Sequence, residues 1–308
     1  MKTAAAVLLA LACPALDAAG SGRARIVEAA DLSVELAREP PPLVLDARDR
    51  RSFEAGHVPG SLRVDWRDFS DVKPRGLNLL FGDSSRWGLL CNNREELRRR
   101  LRALGVAESR PIVVVGSPEG WGEEGRIAWM LLYLGARDVG LLDGGFPAWV
   151  RLKGAVVFSG EERAGPPGDF EPAPRPGRRI RREALRQAIA EGGLVLLDAR
   201  TPAEFGGGTL AGQRRGGHLP GARLVLASAL RTSAGSYVSA EELARLAGPF
   251  TPGAPIVTYC TGGVRSALLA VLLEARLGAV AANYDGSLWE WGGDDELPLE
   301  TGTAGTPR

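Results

Sequence analysis

The chain contains one unit written twice, and this repeat constrains its fold more than any other feature. "LVLDAR" at 43–48 returns as "VLLDAR" at 195–200, with Phe53 answering Phe205. "HVPGS" at 57–61 is matched by "HLPGA" at 218–222, and "PIVVVG" from Pro111 by "PIVTYC" from Pro255. "LDGGFPAW", ending at Trp149, is matched by "YDGSLWEW", ending at Trp291. Matches that keep their order imply two copies of one structural unit, and 308 residues give room for two cores of ordinary size. Between the copies, "GAVVFSGEERAGPPGDFEPAPRPGRR" at 154–179 is rich in Pro, Gly and charge without periodicity, and reads as a linker wrapping the surface. The expected domains are 23–152 and 178–302, joined by a linker at 153–177.

Within each copy, short runs of Val, Ile and Leu alternate with helical patterns. Asn93, with Glu96 three residues on, and Ser239, with Glu242 three residues on, read as helix N-caps ahead of strands at 112–115 and 256–259. Unbroken apolar strands alternating with helices predict an α/β fold, each copy a parallel sheet flanked by helices on both faces. Arg98, Arg99, Arg100 and Arg102 read as a solvated helix face.

Lys and Arg (38) nearly cancel Asp and Glu (37), a balance that argues against a nucleic-acid binder. The opening "MKTAAAVLLALACPALDAAGSG" has one lysine, an apolar run too short to span a bilayer and then small residues, which predicts a signal peptide over 1–20 and export, to a periplasm. Lipid attachment at Cys13 is the alternative, which Pro14 disfavours. After signal removal no stable membrane insertion is expected, and the chain reads as a monomer. Cys91 and Cys260 then remain, too few for a disulfide framework.

The repeat also separates scaffold from chemistry. His57 and His218, the only histidines, occupy the same "HxPG" turn in both copies, so they read as structural, as do the pairs Asp46 with Arg48 and Asp198 with Arg200. That leaves no histidine for a catalytic dyad or triad and no cluster with metal-ligand spacing, so no metal is expected. The copies differ where the second has Cys260 and the first Gly116, followed by a longer acidic segment. Glu119 to Glu124 of that segment reads as an ordinary surface loop, with a cover over the active-site mouth as the alternative.

Cys260 ends an apolar strand and precedes a helix apolar almost all round, the carboxyl-end position where open α/β sheets place their sites. Gly262 and Gly263 permit the backbone to curl so that N–H groups face the sulfur, and the helix start adds its positive dipole end. Arg265 supplies a permanent cation for a sulfur anion or an anionic donor. Such surroundings lower a thiol pKa from about 8.5 towards 3.5–7.5, so a thiolate nucleophile is expected without a separate base. Cys91, after leucines and before a helix cap, reads as structural.

These residues resemble the tandem-domain rhodaneses, the thiosulfate and 3-mercaptopyruvate sulfurtransferases. "LDAR", "HVPG" and "LDGGFPAW" carry the match in the first copy; "LDARTPAEF", "GGHLPGA", "YCTGGVRS" and "YDGSLWEW" carry it in the second. The resemblance implies a catalytically silent first domain and a second that moves sulfur from a small anionic donor to a thiophilic acceptor, cyanide or a thiol, through a Cys260 persulfide. It implies that the amides of Thr261, Gly262, Gly263, Val264 and Arg265 hold the persulfide, and that no cofactor is needed. Relatives of phosphatase and arsenate-reductase type set five residues between cysteine and arginine; here four separate Cys260 from Arg265. "TGGVR" matches neither the thiosulfate-type nor the mercaptopyruvate-type loop. Glu204 stands where the animal enzymes place a substrate-binding arginine, and its charge would repel an anionic donor. Arg265 with Arg214 or Arg215 is therefore expected to form the anion site, with thiosulfate as donor. A persulfide carrier or thiol redox sensor is the rival from another class.

Overall fold

The computed structural model describes residues 22–73, 76–77, 83–158, 165–210, 212–250 and 253–302. The expected signal peptide at 1–20, with Cys13, lies outside the described residues.

In the first copy the chain runs β1 (Arg23–Val27), α1 (Ala29–Leu36), β2 (Leu43–Asp46), α2 (Arg50–Glu54), β3 (Leu62–Arg63), α3 (Arg94–Ala103), β4 (Ile112–Val115), α4 (Glu123–Tyr133), β5 (Asp138–Leu142) and α5 (Gly145–Arg151). The second copy gives α6 (Arg182–Glu191), β6 (Val195–Asp198), α7 (Pro202–Phe205), β7 (Arg223–Leu224), α8 (Ala240–Ala247), β8 (Ile256–Tyr259), α9 (Arg265–Leu277), β9 (Ala282–Asn283) and α10 (Ser287–Trp291). The strands form two parallel sheets, ordered β1-β5-β4-β2-β3 and β7-β6-β8-β9, with helices packed against them. This is the α/β architecture that the sequence predicts. The central strand β4, "IVVV", is buried throughout, as a β-branched run covered on both faces should be.

The caps form as expected: Asn93 Oδ1 accepts from Glu96 N–H at 3.1 Å and Ser239 Oγ from Glu242 N–H at 3.2 Å. Arg98, Arg99 and Arg100 pair with Glu95 and Glu96 on the solvated face of α3, while Arg102 reaches Glu171. The two histidines are turn pins. His57 Nδ1 lies 3.0 Å from the Phe53 carbonyl and its ring stacks on Phe53; His218 Nδ1 lies 2.9 Å from the Phe205 carbonyl and stacks on Phe205. Arg48 and Arg200 each bind the aspartate two residues before them at 2.6 Å and also donate to a carbonyl, of Gly56 and Gly217 respectively.

The copies join through equivalent helices. α4 and α9, each following the central strand of its sheet, cross so closely that a Cβ on Gly125 would lie 2.5 Å from Leu268 Cβ. One apolar cluster consequently runs through both copies, from Leu45 and Val114 through Trp129 and Leu131 to Leu268 and Leu272. The described part of the linker adheres to the first copy: Phe170 is buried, and Arg175 donates to the carbonyls of Gly135 and Ala136.

Candidate active site

Cys260 leaves the end of β8, and the chain turns through Thr261–Val264 before α9 begins at Arg265. Gly263 has φ +75°, and a Cβ there would lie 2.6 Å from Asp285 Cα. At Gly262 a Cβ would overlap the Trp289 ring. Glycine is required at both positions, by the left-handed backbone at one and the close approach at the other.

That turn aims Gly263 N–H at Cys260 Sγ, at 3.1 Å. Burial would push the thiol pKa up; Arg265 and the backbone N–H groups of Ser266 and Gly262 outweigh it and bring the pKa below the ordinary thiol value. The loop is fixed from behind. Thr258 Oγ1 donates to the Ser266 carbonyl, Ser266 Oγ to Asn283 Oδ1 at 2.7 Å, and Asn283 Nδ2 to the Gly263 carbonyl at 3.1 Å. Ser287 Oγ accepts from the Cys260 N–H at 3.1 Å while donating to the Tyr284 carbonyl.

Three expectations need correction. Arg265 is not a free anion dock: its guanidinium grips Glu204 with two hydrogen bonds of 2.8 Å and donates to Thr261 Oγ1 at 2.7 Å. Glu204 in turn does not present a repelling charge to the site. It is buried and closes a capping box with Thr201; although burial favours its neutral form, Arg265, Thr201 and Thr261 hold its pKa at about 2. Arg214 and Arg215 are not among the residues lining the cleft beside the loop, and their guanidiniums bind the carbonyls at and after the end of α10. Arg214 reaches Gly293, and Arg215 reaches Trp291, Gly292, Asp294 and Leu297. Of the amides expected at the sulfur, that of Gly263 meets it at 3.1 Å, while those of Gly262 and of Ser266, to which the sequence did not point, favour its ionised form. Thr261 contributes its hydroxyl to Glu204 at 2.8 Å, and the Val264 carbonyl accepts from Leu268 N–H within α9.

Beside the loop, a cleft of about 700 Å³ opens between the copies. Ala199, Thr201, Leu226, Arg231, Arg265 and Leu268 line one side; the segment from Ser117 to Gly122, with Pro147 and Arg151, lines the other. The acidic segment is thus a wall of this cleft rather than an ordinary surface loop. Trp121 is exposed, with its ring 5.1 Å from the Arg265 guanidinium. Glu124 turns inward, buried, to pair with Arg231 and accept from Tyr237 Oη at 3.2 Å. Among the described residues no group of His, Cys, Asp and Glu is placed to hold a metal ion.

A family model described as the rhodanese-like domain matches this chain twice, over residues 28–152 and 181–294. The chain belongs to the rhodanese family. Among its relatives, a thiosulfate sulfurtransferase of Corynebacterium glutamicum is 31% identical, over 90% of this chain and 91% of that protein. The sulfur carrier protein TtuD of Thermus thermophilus is 30% identical, over 92% and 99%. A Pseudomonas aeruginosa protein named "Probable 3-mercaptopyruvate sulfurtransferase" is 30% identical, over 91% and 99%. The rhodanese fold is shared with the crystal structure of YnjE at a TM-score of 0.74 and 22% identity, covering 91% of this chain and 69% of that one. No described helix is long and apolar enough to cross a membrane.

Proposed function

We propose that this rhodanese is a sulfurtransferase that takes sulfane sulfur from thiosulfate onto Cys260 and passes it to cyanide or a thiol. The Cys260 thiolate attacks the outer sulfur of thiosulfate; a new S–S bond forms, the bond to the sulfonate sulfur breaks, and sulfite leaves with the electron pair. The acceptor then attacks the outer persulfide sulfur and Cys260 leaves as thiolate, ready for another cycle. Both steps need negative charge stabilised on sulfur, and the observation that carries the reading is the Gly263 N–H at 3.1 Å from Sγ beneath the Arg265 cation. Thiosulfate is favoured as donor by the similarity to a protein named as a thiosulfate sulfurtransferase.

The test is steady-state release of sulfite from thiosulfate with cyanide, set against pyruvate release from mercaptopyruvate. Faster turnover of thiosulfate is expected, and the reverse order would overturn the donor assignment. Similarity to a protein named as a sulfur carrier supports a second reading, in which Cys260 holds a persulfide for a partner. A single round of sulfite release with no further turnover would favour it. Export remains a separate proposal resting on residues 1–20, tested by cell fractionation.

A further inference from the structure

The copy that lacks the loop cysteine also supplies a charge to the one that has it. Arg126, on α4, is 2% exposed and crosses the boundary between the copies. It donates to the Gly88 carbonyl at 2.6 Å and to the Gly263 carbonyl at 3.3 Å, and Gly263 is the residue whose N–H meets Cys260 Sγ. The other charges around the thiol are matched. Arg265 holds Glu204, Arg200 holds Asp198, and Arg179 holds Asp285 at 2.7 Å, Asp285 also accepting from Leu90 N–H. Arg126 by contrast has, among the described residues, two carbonyls and the faces of Trp129 and Trp66 as its contacts. A guanidinium buried without a carboxylate is costly unless a nearby group becomes negative, and burial lowers its pKa to about 10 while Asp285 and an ionised Cys260 oppose that shift.

We infer that Arg126 is a positioning residue for the reaction, a cation from the first copy that favours the Cys260 thiolate and its persulfide while fixing the Gly263 peptide whose N–H meets the sulfur. The inference rests on Cys260 being the sulfur acceptor. It gives the first copy a part in the chemistry although it carries no nucleophile of its own.

The test is the pH dependence of Cys260 alkylation by iodoacetamide in the full chain, followed by peptide mass, for the parent, Arg126→Met and Arg126→Lys. Loss of the charge in Arg126→Met is expected to raise the midpoint by about one pH unit, and the cation kept in Arg126→Lys to hold it near that of the parent. An unchanged midpoint in a folded Arg126→Met, or an equal rise in both variants, would overturn the inference. Should Arg126→Met not fold, Arg126→Gln, which keeps donors for the two carbonyls, is read by the same criteria. The readout needs no sulfur donor. A parent midpoint near the ordinary thiol value of about 8.5 would instead tell against Cys260 as the thiolate acceptor.

Discussion

Ser287 shows how a single position distinguishes the working copy. In the first copy the matching residue is Gly145, at φ +58°, where a Cβ would overlap the Gly116 carbonyl. In the second, Ser287 adopts φ +51°, a conformation unfavourable for a residue with a side chain, and its hydroxyl caps the Cys260 N–H. Ser287→Gly should therefore fold, relieve the backbone, and leave a buried N–H unpaired at a cost of about 1–3 kcal/mol. Sulfite release should drop several-fold, measured beside thermal stability. Glu204 is the second such position. Its carboxyl is held at about 2, below the ordinary 4.5, so its contribution to stability is present above pH 4.5 and is lost as pH falls towards 2. Glu204→Gln should cost about 3 kcal/mol near neutral pH, because it leaves Arg265 buried without its partner. In thermal melts the gap between parent and variant should narrow steadily under acid. Cys260 and the two glycines were legible in the sequence because the other copy lacks them. The Glu204–Arg265 pair was not legible: the residues are 61 positions apart, and only the capping signature in "TPAE" hinted that this carboxylate faces the backbone rather than a substrate.

At the scale of elements, the predicted strands and caps formed because each rests on local chemistry: a β-branched run buried on both faces, or a side-chain oxygen over a helix start. Their mutual placement had no comparable signal. The crossing of α4 and α9 depends on Gly125, which in sequence is simply one more residue of an apolar helix. Gly125→Ala should force the helices apart at Leu268 and cost about 1–3 kcal/mol, read as a lowered Tm, with weaker sulfur transfer because α9 starts at the thiol loop. A Tm equal to that of the parent would show that the crossing is looser than described.

At the scale of the molecule, the repeat announced two units but not that they share one interior or that the site lies against both. Buried contacts bind the copies: Arg231 with Glu124, Leu90 N–H donating to Asp285 at 2.7 Å, and Tyr237 N–H donating to Asp143 at 2.6 Å. Calorimetry should therefore record one cooperative unfolding transition, two separated peaks being the contrary result. The first copy, which the resemblance implies is catalytically silent, walls the cleft with Trp121 and sets Arg126 against the Gly263 carbonyl of the loop. Sequence comparison between the copies finds what one has and the other lacks, but a residue of one copy that acts on the other leaves no such trace.

The most direct measurement of the central claim is the intact mass of the protein before and after thiosulfate. A gain of one sulfur atom is expected, removed by cyanide and absent in Cys260→Ser. A gain that persists in that variant, or no gain in the parent, would contradict it.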